Sequence, residues 1–192
     1  MNKKLVLFDF DGTLTTKDSL WAFLFHSNSS TRVYLHLLLH IPYFILGVLR
    51  LMTKGAIKER LIRSLLKKFN QEEITALAVS FQNKIPRILN QEVYDEFKKH
   101  IANKEEVCIV SASLDFWLIP FAEKHNCELI CTEWDYALNQ FASENCIGKE
   151  KAIQINLKYN LKDFDNIVAY GNSKGDDQMM ELAHQKHWIE KS

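Results

Sequence analysis

Short apolar runs alternate with longer stretches of helical spacing over much of this chain of 192 residues. Runs rich in β-branched and aliphatic residues predict buried strands, at residues 5–8, 106–111, 127–131 and 167–170. The stretches between the later runs predict helices, at residues 115–125, 149–159 and 176–184. Two smaller elements complete the pattern, a β-hairpin at 134–141 and an edge strand at 187–189. Strands that alternate with helices in this way predict an α/β fold with a doubly wound parallel sheet.

The first two predicted strands are separated by helical material from about residue 18 to residue 100. This separation is far longer than one helical crossover requires. We therefore expect residues 17–100 to form an inserted α-helical cap domain. Residues 1–16 and 101–192 would then form the core domain that carries the sheet.

The composition is that of a globular protein, because 47% of the residues are hydrophobic and 25% are charged. The formal net charge is zero, yet the segment from Arg32 to Lys68 holds eight Lys or Arg residues and a single acid, Glu59. Such a basic block favours an anionic partner, for which phosphate esters, membrane surfaces and nucleic acids are the candidates. Nucleic acid is disfavoured because the block contains no recognisable reading motif.

The cysteines and the N-terminus bear on the location of the protein. Lys3 and Lys4 precede an apolar run of only four residues, which is too short for a signal peptide. Four cysteines without an export signal indicate reduced thiols in a cytoplasmic protein. The pair Cys127 and Cys131 is interpreted as strand packing, since no second ligand pair is spaced to complete a metal site.

Two carboxylates, Asp9 and Asp11, come directly after the first predicted strand and are followed by a Gly-Thr turn. In open parallel sheets, ligands bind just outside the carboxyl ends of the strands. Two like charges this close favour a bound metal ion or a raised pKa of one carboxyl group. One carboxylate in such a place could attack an electrophile while the other transfers a proton.

Two further motifs carry groups that suit a phosphate. Ser111 and Ala112 end the second predicted strand, where a hydroxyl and free backbone N–H groups can donate to phosphate oxygens. Lys149 and Lys151 open a helix directly after Gly148, and the ammonium of either could neutralise a transferring phosphoryl group.

A third segment, Gly171–Asp177, follows the fourth predicted strand. Asn172 offers an amide oxygen that can bind Mg²⁺ without adding charge. Asp176 could bind the metal directly or through water, or it could hold Lys151 instead. Asp177 is interpreted as an exposed acid at a helix start, where it suits the helix dipole.

In this order, the four motifs resemble those of the haloacid dehalogenase (HAD) superfamily of phosphotransferases. The segment 9–15 is similar to the first HAD motif, and Ser111 matches the Ser or Thr of the second. Lys151 fits the Gly-x-x-Lys spacing of the third motif best. The Gly171–Asp177 segment resembles the fourth motif with one departure, because Asn172 stands where the family usually has Asp.

The resemblance implies a Rossmann-like core and a phosphatase mechanism in two steps. Asp9 would attack phosphorus and form an aspartyl-phosphate, and Asp11 would protonate the leaving oxygen and then activate water. Lys151 would neutralise charge, while Ser111 and Ala112 would bind the phosphate. The implied cofactor is Mg²⁺, and its implied ligands are Asp9, the backbone carbonyl of Asp11, and Asn172 or Asp176.

A cap inserted directly after the first motif is similar to that of the phosphoserine-phosphatase-like subfamily. Asp18 lies where members that bind an amino acid carry a Glu that reaches into the pocket, so Asp18 is a candidate for substrate binding. It could equally be the N-cap of a helix. Because Asp is shorter than Glu, this position weakens the phosphoserine interpretation.

Residues 33–49 form an apolar segment with no charge, two histidines and Pro42 near its middle. Its length is at the lower limit for a membrane span, and Pro42 would break it into two short helices. A basic amphipathic helix follows, so residues 32–68 could contact an anionic membrane at its inner face. The alternative is a helical cap core, with or without a dimer contact.

The layout also loosely resembles the phosphatidylglycerophosphatase C type of HAD enzyme, through the first motif, Asp18, the apolar cap segment and His187-Trp188. We therefore expect a Mg²⁺-dependent phosphomonoester phosphatase whose favoured substrate is a lipid phosphate such as phosphatidylglycerophosphate. One alternative is a phosphatase of a small soluble metabolite similar to phosphoserine. Another is a non-catalytic, HAD-like binding module at the membrane. A dehalogenase is disfavoured, because Asp11 would have no evident role in displacing halide.

Overall fold

The apolar runs of the sequence become the strands of one parallel sheet. The computed structural model describes residues 3–190, and its strands are β1 (Lys4–Phe8), β2 (Glu106–Leu114), β3 (Glu128–Thr132), β4 (Trp134–Asp135), β5 (Gln140–Phe141), β6 (Asn166–Gly171) and β7 (Gln185–Trp188). The main sheet has the order β3-β2-β1-β6-β7, and every neighbouring pair in it is parallel. The strands β4 and β5 form a separate antiparallel hairpin. The strands and the hairpin predicted from the sequence are therefore confirmed, with small shifts at their ends.

The helices fall into an inserted group and a core group. Over residues 3–190 they are α1 (Ser19–Ser27), α2 (Ser30–Leu39), α3 (Ile41–Val48), α4 (Lys54–Leu66), α5 (Gln71–Phe81), α6 (Gln91–Ala102), α7 (Asp115–His125), α8 (Lys149–Lys158) and α9 (Asp177–Glu181). The first six lie between β1 and β2, which confirms that the long insertion is helical. The other three confirm the predicted core helices, although α9 is shorter than its sequence pattern indicated.

Alternate residues of β1 are buried on opposite faces of the sheet. Val6 and Phe8 belong to a core that also contains Phe97 of α6, and the rings of Phe8 and Phe97 lie 5.3 Å apart in an edge-to-face arrangement. Leu5 and Leu7 belong to a second core, which α8 and α9 cover from the other side. Burial on both faces explains why the strands are almost continuously apolar, and it confirms the doubly wound α/β fold.

The order of the strands creates a crevice at the carboxyl end of β1. From β1 the chain continues to β2 and β3 on one side, whereas β6 and β7 lie on the other side. A parallel sheet binds its ligands where such a change of direction occurs, because the two connections leave the edge open there. The residues that follow β1, β2 and β6 are therefore brought to one place.

The inserted helices are joined to the core by two paired segments. The Thr16 N–H donates to the Ile88 carbonyl at 2.7 Å, and the Asn90 N–H donates to the Leu14 carbonyl at 2.9 Å. Because α6 comes after this pairing and packs on the sheet through Phe97, the contacts favour a cap that ends near residue 90. The domain limits of 17–100 for the cap, and of 1–16 and 101–192 for the core, remain a prediction.

The apolar segment 33–49 is split as predicted, because Pro42 lies in the first turn of α3 and the axes of α2 and α3 differ by 51°. Within residues 3–190, no single helix is long and apolar enough to cross a membrane, although this bent pair passes the same test of length and composition. Its large exposed residues, here called the α2–α3 apolar face, are Tyr34, Leu35, Leu38, Leu39, Ile41, Phe44, Ile45, Val48 and Leu49. Within 33–49 only Val33 and His40 are buried, so a cap core accounts for little of the segment.

Candidate active site

Asp9 is fixed at the end of β1 by contacts on both of its carboxylate oxygens. Its backbone N–H extends the sheet by donating to the Tyr170 carbonyl at 2.9 Å. Its Oδ1 accepts from the Lys151 ammonium at 2.7 Å, and its Oδ2 accepts from the Thr13 hydroxyl at 2.9 Å. Burial raises the pKa of Asp9 to about 6, against the opposing effect of the Lys151 charge. Asp9 is thus a buried carboxylate beside a fixed cation.

Lys151 lies in the first turn of α8 and joins two carboxylates. Its Nζ is 2.7 Å from Asp9 Oδ1 and 2.7 Å from Asp176 Oδ1, and its side chain is 2% exposed. Burial alone would lower the pKa of Lys151, but these two carboxylates raise it above its ordinary value. Lys149, the rival candidate, is exposed on the same helix. Of the two lysines, the fold brings only Lys151 to the carboxylates.

Asp176 organises the loop that follows β6. Its Oδ2 accepts from the backbone N–H groups of Asn172 at 3.1 Å and Ser173 at 3.0 Å, and from the Ser173 hydroxyl at 3.0 Å. Burial alone would raise the pKa of Asp176, but Lys151 and these donors lower it. A side chain at Gly171 would place a Cβ 2.8 Å from the Asp176 Cβ, so glycine permits this close approach. Of the alternatives left open by the sequence, the geometry favours holding Lys151 over direct metal binding.

Asp11 is held by two serines that the sequence did not indicate as site residues. The Ser19 backbone N–H, at the start of α1, donates to Asp11 Oδ1 at 2.6 Å. The Ser113 hydroxyl, near the end of β2, donates to Asp11 Oδ2. Ser111 lies on the same strand, and its Oγ accepts from the Ser113 N–H at 3.0 Å. The Ser111 hydroxyl proton therefore remains available for a phosphate oxygen.

The carbonyl of Ala112 joins the core to the cap at the edge of the site. It accepts from the Thr132 hydroxyl at 3.0 Å and from the Lys58 ammonium of α4. The sequence placed Lys58 in the basic block that faces an anionic partner, but the structure points it into the cleft between cap and core. Burial lowers the pKa of Lys58, against the opposing charges of Asp11 and other acids nearby. The i,i+4 spacing from Lys54 to Lys58 was the available signal for a shared helix face.

These side chains surround a cavity of about 240 Å³ between the cap and the core. Its polar lining residues are Asp9, Asp11, Asp18, Lys54, Lys58, Ser111, Ser113, Asn145, Lys151, Ser173 and Asp176. Asp18 caps α1, because its Oδ1 accepts from the Leu20 N–H at 2.9 Å. The same residue lines the cavity, where its role in substrate binding remains a prediction. Burial, and then the Asp11 charge, raise the pKa of Asp18. Asp177 is half-buried at the start of α9 and is not part of this lining.

The residues that follow β1 and β6 offer donors that fit a Mg²⁺ ion. Gly12 has a φ of +83°, and a Cβ added there would lie 1.9 Å from the Asn172 Nδ2. Glycine therefore lets the Asn172 amide reach the backbone beside Asp11. The carboxylate of Asp9, the carbonyl of Asp11 and the amide oxygen of Asn172 are all hard oxygen donors, which Mg²⁺ prefers. Within residues 3–190, no group of three or more His, Cys, Asp or Glu side chains is arranged for a metal.

Proton competition at Asp9 should make metal binding depend on pH. With the pKa of Asp9 raised to about 6, this carboxyl is mostly protonated below that pH and mostly ionised above it. Since a metal ligand must be deprotonated, we expect the Mg²⁺ affinity to fall by about tenfold per pH unit below pH 6 and to level off above it. Isothermal titration calorimetry with Mg²⁺ over this range measures the effect. A dissociation constant that does not change with pH would contradict it, and Asp9→Asn is the matched control.

The chain matches the family model for haloacid dehalogenase-like hydrolases over residues 6–181. It is 31% identical to Protein CicA of Caulobacter vibrioides (strain NA1000 / CB15N) over 199 aligned residues, which cover 95% of this chain and 84% of CicA.

Solved structures share the fold. A Bordetella pertussis Tohama I protein of unknown function superposes with a TM-score of 0.80 at 20% identity, covering 97% of this chain and 89% of that one. A phospho-aspartyl intermediate analogue of phosphoserine phosphatase superposes with a TM-score of 0.57 at 20% identity, covering 97% of this chain and 86% of that one. At this level of identity, the likeness concerns the fold alone.

Proposed function

Because the chain belongs to the haloacid dehalogenase-like hydrolase family, we propose that it is a Mg²⁺-dependent phosphomonoester phosphatase that works through an aspartyl-phosphate. One observation carries the proposal. Lys151, almost fully buried, pairs with Asp9 at 2.7 Å while a second carboxylate, Asp11, lines the same cavity. A carboxylate nucleophile needs a fixed positive charge beside it to receive a phosphate dianion, and a second acid to move the proton.

In the first proposed step, a carboxylate oxygen of Asp9 forms a bond to phosphorus as the bond from phosphorus to the leaving oxygen breaks. Asp11 gives its proton to that leaving oxygen. In the second step, water loses a proton to Asp11 and forms a bond to phosphorus, and the bond from phosphorus to Asp9 breaks. Phosphate is released, and both carboxyl groups return to their initial states.

The other residues bind and orient the phosphate. The free hydroxyl proton of Ser111 donates to a phosphate oxygen, as does the backbone N–H of Ala112, where the pairing of β2 with β3 is irregular. Lys151 places its charge beside the atoms that react, and Asp176 keeps that ammonium in place. Mg²⁺, held by Asp9, the Asp11 carbonyl and Asn172, would neutralise charge on the phosphate.

For the substrate, we propose a lipid phosphate such as phosphatidylglycerophosphate. The α2–α3 apolar face supports this choice, because several of its leucines are more than half exposed, Leu38 at 63% and Leu39 at 61%. Next to it, Arg50, Arg60 and the pair Lys67 and Lys68 are exposed and suit anionic headgroups. The helix α4 follows this face directly and lines the cavity with Lys54 and Lys58. The protein would then act at the cytoplasmic face of a membrane.

The test is Mg²⁺-dependent phosphate release from phosphatidylglycerophosphate in mixed micelles, compared with a panel of soluble phosphomonoesters that includes phosphoserine. Turnover of the lipid far above that of the soluble esters supports the whole proposal. Turnover of soluble esters alone would support the phosphatase activity, but the substrate would then be a soluble metabolite and not a lipid. If neither class is hydrolysed with Mg²⁺ present, the protein is a non-catalytic binding module, and the phosphatase proposal fails.

Charge placed on the α2–α3 apolar face should separate membrane binding from chemistry. We expect the double variant Leu38→Glu, Leu39→Glu to lose at least about tenfold in binding to anionic vesicles, because each leucine contributes apolar area that Glu cannot bury in the interface. Its turnover of a soluble ester should stay within about twofold of the original, since neither residue lines the cavity. Sedimentation with phosphatidylglycerol vesicles measures the binding.

The control variant is Leu157→Glu, which adds a charge at a residue of α8 that is 76% exposed and lies outside the α2–α3 apolar face. It should bind vesicles as the original protein does. Equal vesicle binding by the original protein, the double leucine variant and Leu157→Glu would contradict the proposed membrane contact.

A further inference from the structure

A line of buried hydrogen bonds leads from Trp117 to the carboxyl group of Asp11. The Trp117 indole Nε1–H donates to the Ser19 Oγ at 3.1 Å. The Ser19 Oγ lies 3.1 Å from the Ser113 Oγ, and the Ser113 hydroxyl contacts Asp11 Oδ2. The participants come from α7, α1 and β2, so the line joins the first cap helix to two core elements.

The direction of these hydrogen bonds is fixed by the two ends of the line. An indole nitrogen can only donate, and the Asp11 carboxylate can only accept while it is ionised. When Asp11 takes up the proton that it later delivers, that proton occupies a lone pair that neither serine uses. Since each serine hydroxyl has one proton, Ser19 must donate to Ser113, and Ser113 must donate to Asp11. The arrangement therefore has a single polarity and uses every available proton.

Burial and packing keep the line in place. Ser19 and Trp117 are 0% exposed and Ser113 is 2% exposed, so water cannot replace a lost hydroxyl without structural change. The Trp117 ring stacks on Phe23 at 5.0 Å and meets Phe116 edge-to-face at 4.9 Å. The indole therefore holds Ser19 from a rigid position.

We propose that Trp117, Ser19 and Ser113 are positioning residues for Asp11, which set the orientation in which this acid gives its proton to the leaving oxygen. The inference rests on the proposed phosphatase function and deepens it. Ser113 holds Oδ2, while the Ser19 backbone N–H holds Oδ1 at 2.6 Å, so the plane of the carboxyl group cannot rotate. Proton transfer depends steeply on such alignment, because a misplacement of about 1 Å can cost about a hundredfold in rate.

The choice of leaving group separates this role from a merely structural one. An alkoxide must receive a proton as it leaves, whereas p-nitrophenolate leaves well without one. We expect Ser113→Ala to lower kcat/KM for n-butyl phosphate by at least about tenfold more than for p-nitrophenyl phosphate. Ser19→Ala should show the same selectivity to a smaller extent, since its backbone contact to Asp11 remains. Ser113→Thr, which restores the hydroxyl, should recover most of the difference.

A control and a second readout complete the experiment. Ser64→Ala removes a cap hydroxyl that bonds His36, away from Asp11, and should leave both esters unaffected. An equal loss for both esters in Ser113→Ala would overturn the proposal, because damage to the fold affects both alike.

The second readout is the indole N–H resonance of Trp117, identified by its disappearance in Trp117→Phe. The chemical shift of this resonance should change in Ser19→Ala. An unchanged chemical shift would overturn the line of hydrogen bonds.

The resonance is measured without substrate, so it does not depend on turnover. If the chemical shift changes as expected but no phosphate ester is hydrolysed, the line of hydrogen bonds is confirmed. The proposed phosphatase function and the role of the line in proton delivery are then both wrong. If esters are hydrolysed and the resonance does not move, the phosphatase stands and the positioning role is wrong.

Discussion

Replacing Asp9 by asparagine is expected to lower phosphate release by about 10⁴-fold or more while the protein stays folded. The amide has the shape of the carboxylate, but it is a poor nucleophile and cannot form the aspartyl-phosphate. Asp176, which pairs with Lys151 at 2.7 Å in the original protein, should keep that contact in the variant, so the buried ammonium is not left alone. Turnover with Mg²⁺ and circular dichroism of the same preparation measure the two parts of this expectation.

The matched control is Asp177→Asn, which makes the same chemical change at a half-buried acid that does not line the cavity. Turnover by this variant should remain within about twofold of the original, because Asp177 lies outside the reacting groups. Substantial turnover by Asp9→Asn would mean that another group attacks phosphorus. An equal loss in both variants would mean that the result reflects damage to the fold.

Replacing Lys151 by methionine is expected to abolish turnover and to lower the free energy of unfolding by about 3–5 kcal/mol in the absence of metal. Methionine fills similar space but leaves the carboxylates of Asp9 and Asp176 buried without their shared cation. The original protein avoids that cost through two contacts of 2.7 Å to the lysine Nζ. Urea unfolding with a chelator present, at about pH 7.5, measures the difference.

The loss in free energy of unfolding that Lys151→Met causes should become smaller as the pH falls. Without the cation, both buried carboxyl groups have pKa values raised above those of the unfolded chain, so the folded variant takes up protons more readily. Its stability relative to the original protein is therefore regained as the pH falls through those raised values and is lost as the pH rises. Unfolding at about pH 5 should thus show a smaller difference than at about pH 7.5. A deficit independent of pH would contradict the account.

Lys149→Met provides the control, because Lys149 lies two residues earlier on α8 and is exposed. Its stability should change by no more than about 0.5 kcal/mol, and its turnover should be nearly unaffected. A large loss of activity in this variant would favour Lys149, the rival that the sequence ranked behind Lys151.

The sequence predicted the parts of this site that depend on strand ends. Asp9, Asp11 and Ser111 directly follow or end apolar runs, and parallel strands necessarily bring those ends to one edge of the sheet. Lys151 and Asp176 were predicted through the resemblance to the third and fourth HAD motifs. The fold class followed from the same alternation of strands and helices, and it is confirmed by the strand order.

The parts that the sequence did not predict depend on packing in three dimensions. Ser113 lies near the end of β2 beside Ser111, but nothing local shows that its hydroxyl meets Asp11, 102 residues earlier in the chain. Lys58 belongs to a basic helix by pattern, but only the packing of α4 decides that its ammonium meets Ala112. The limit of the cap depends on packing in the same way, since α6 looks like its neighbours in sequence but packs on the sheet. The predicted limit at residue 100 remains a prediction.

The most direct test of the account is to find where the phosphoryl group resides during turnover. The protein is mixed with Mg²⁺ and a hydrolysed phosphomonoester, quenched in acid within one turnover and treated with borohydride, which converts an aspartyl-phosphate to homoserine. Peptide mass spectrometry then locates the changed residue. The account predicts homoserine at position 9 and none in Asp9→Asn. Homoserine at another aspartate, or continued turnover with no modified residue under any quench time, would contradict it.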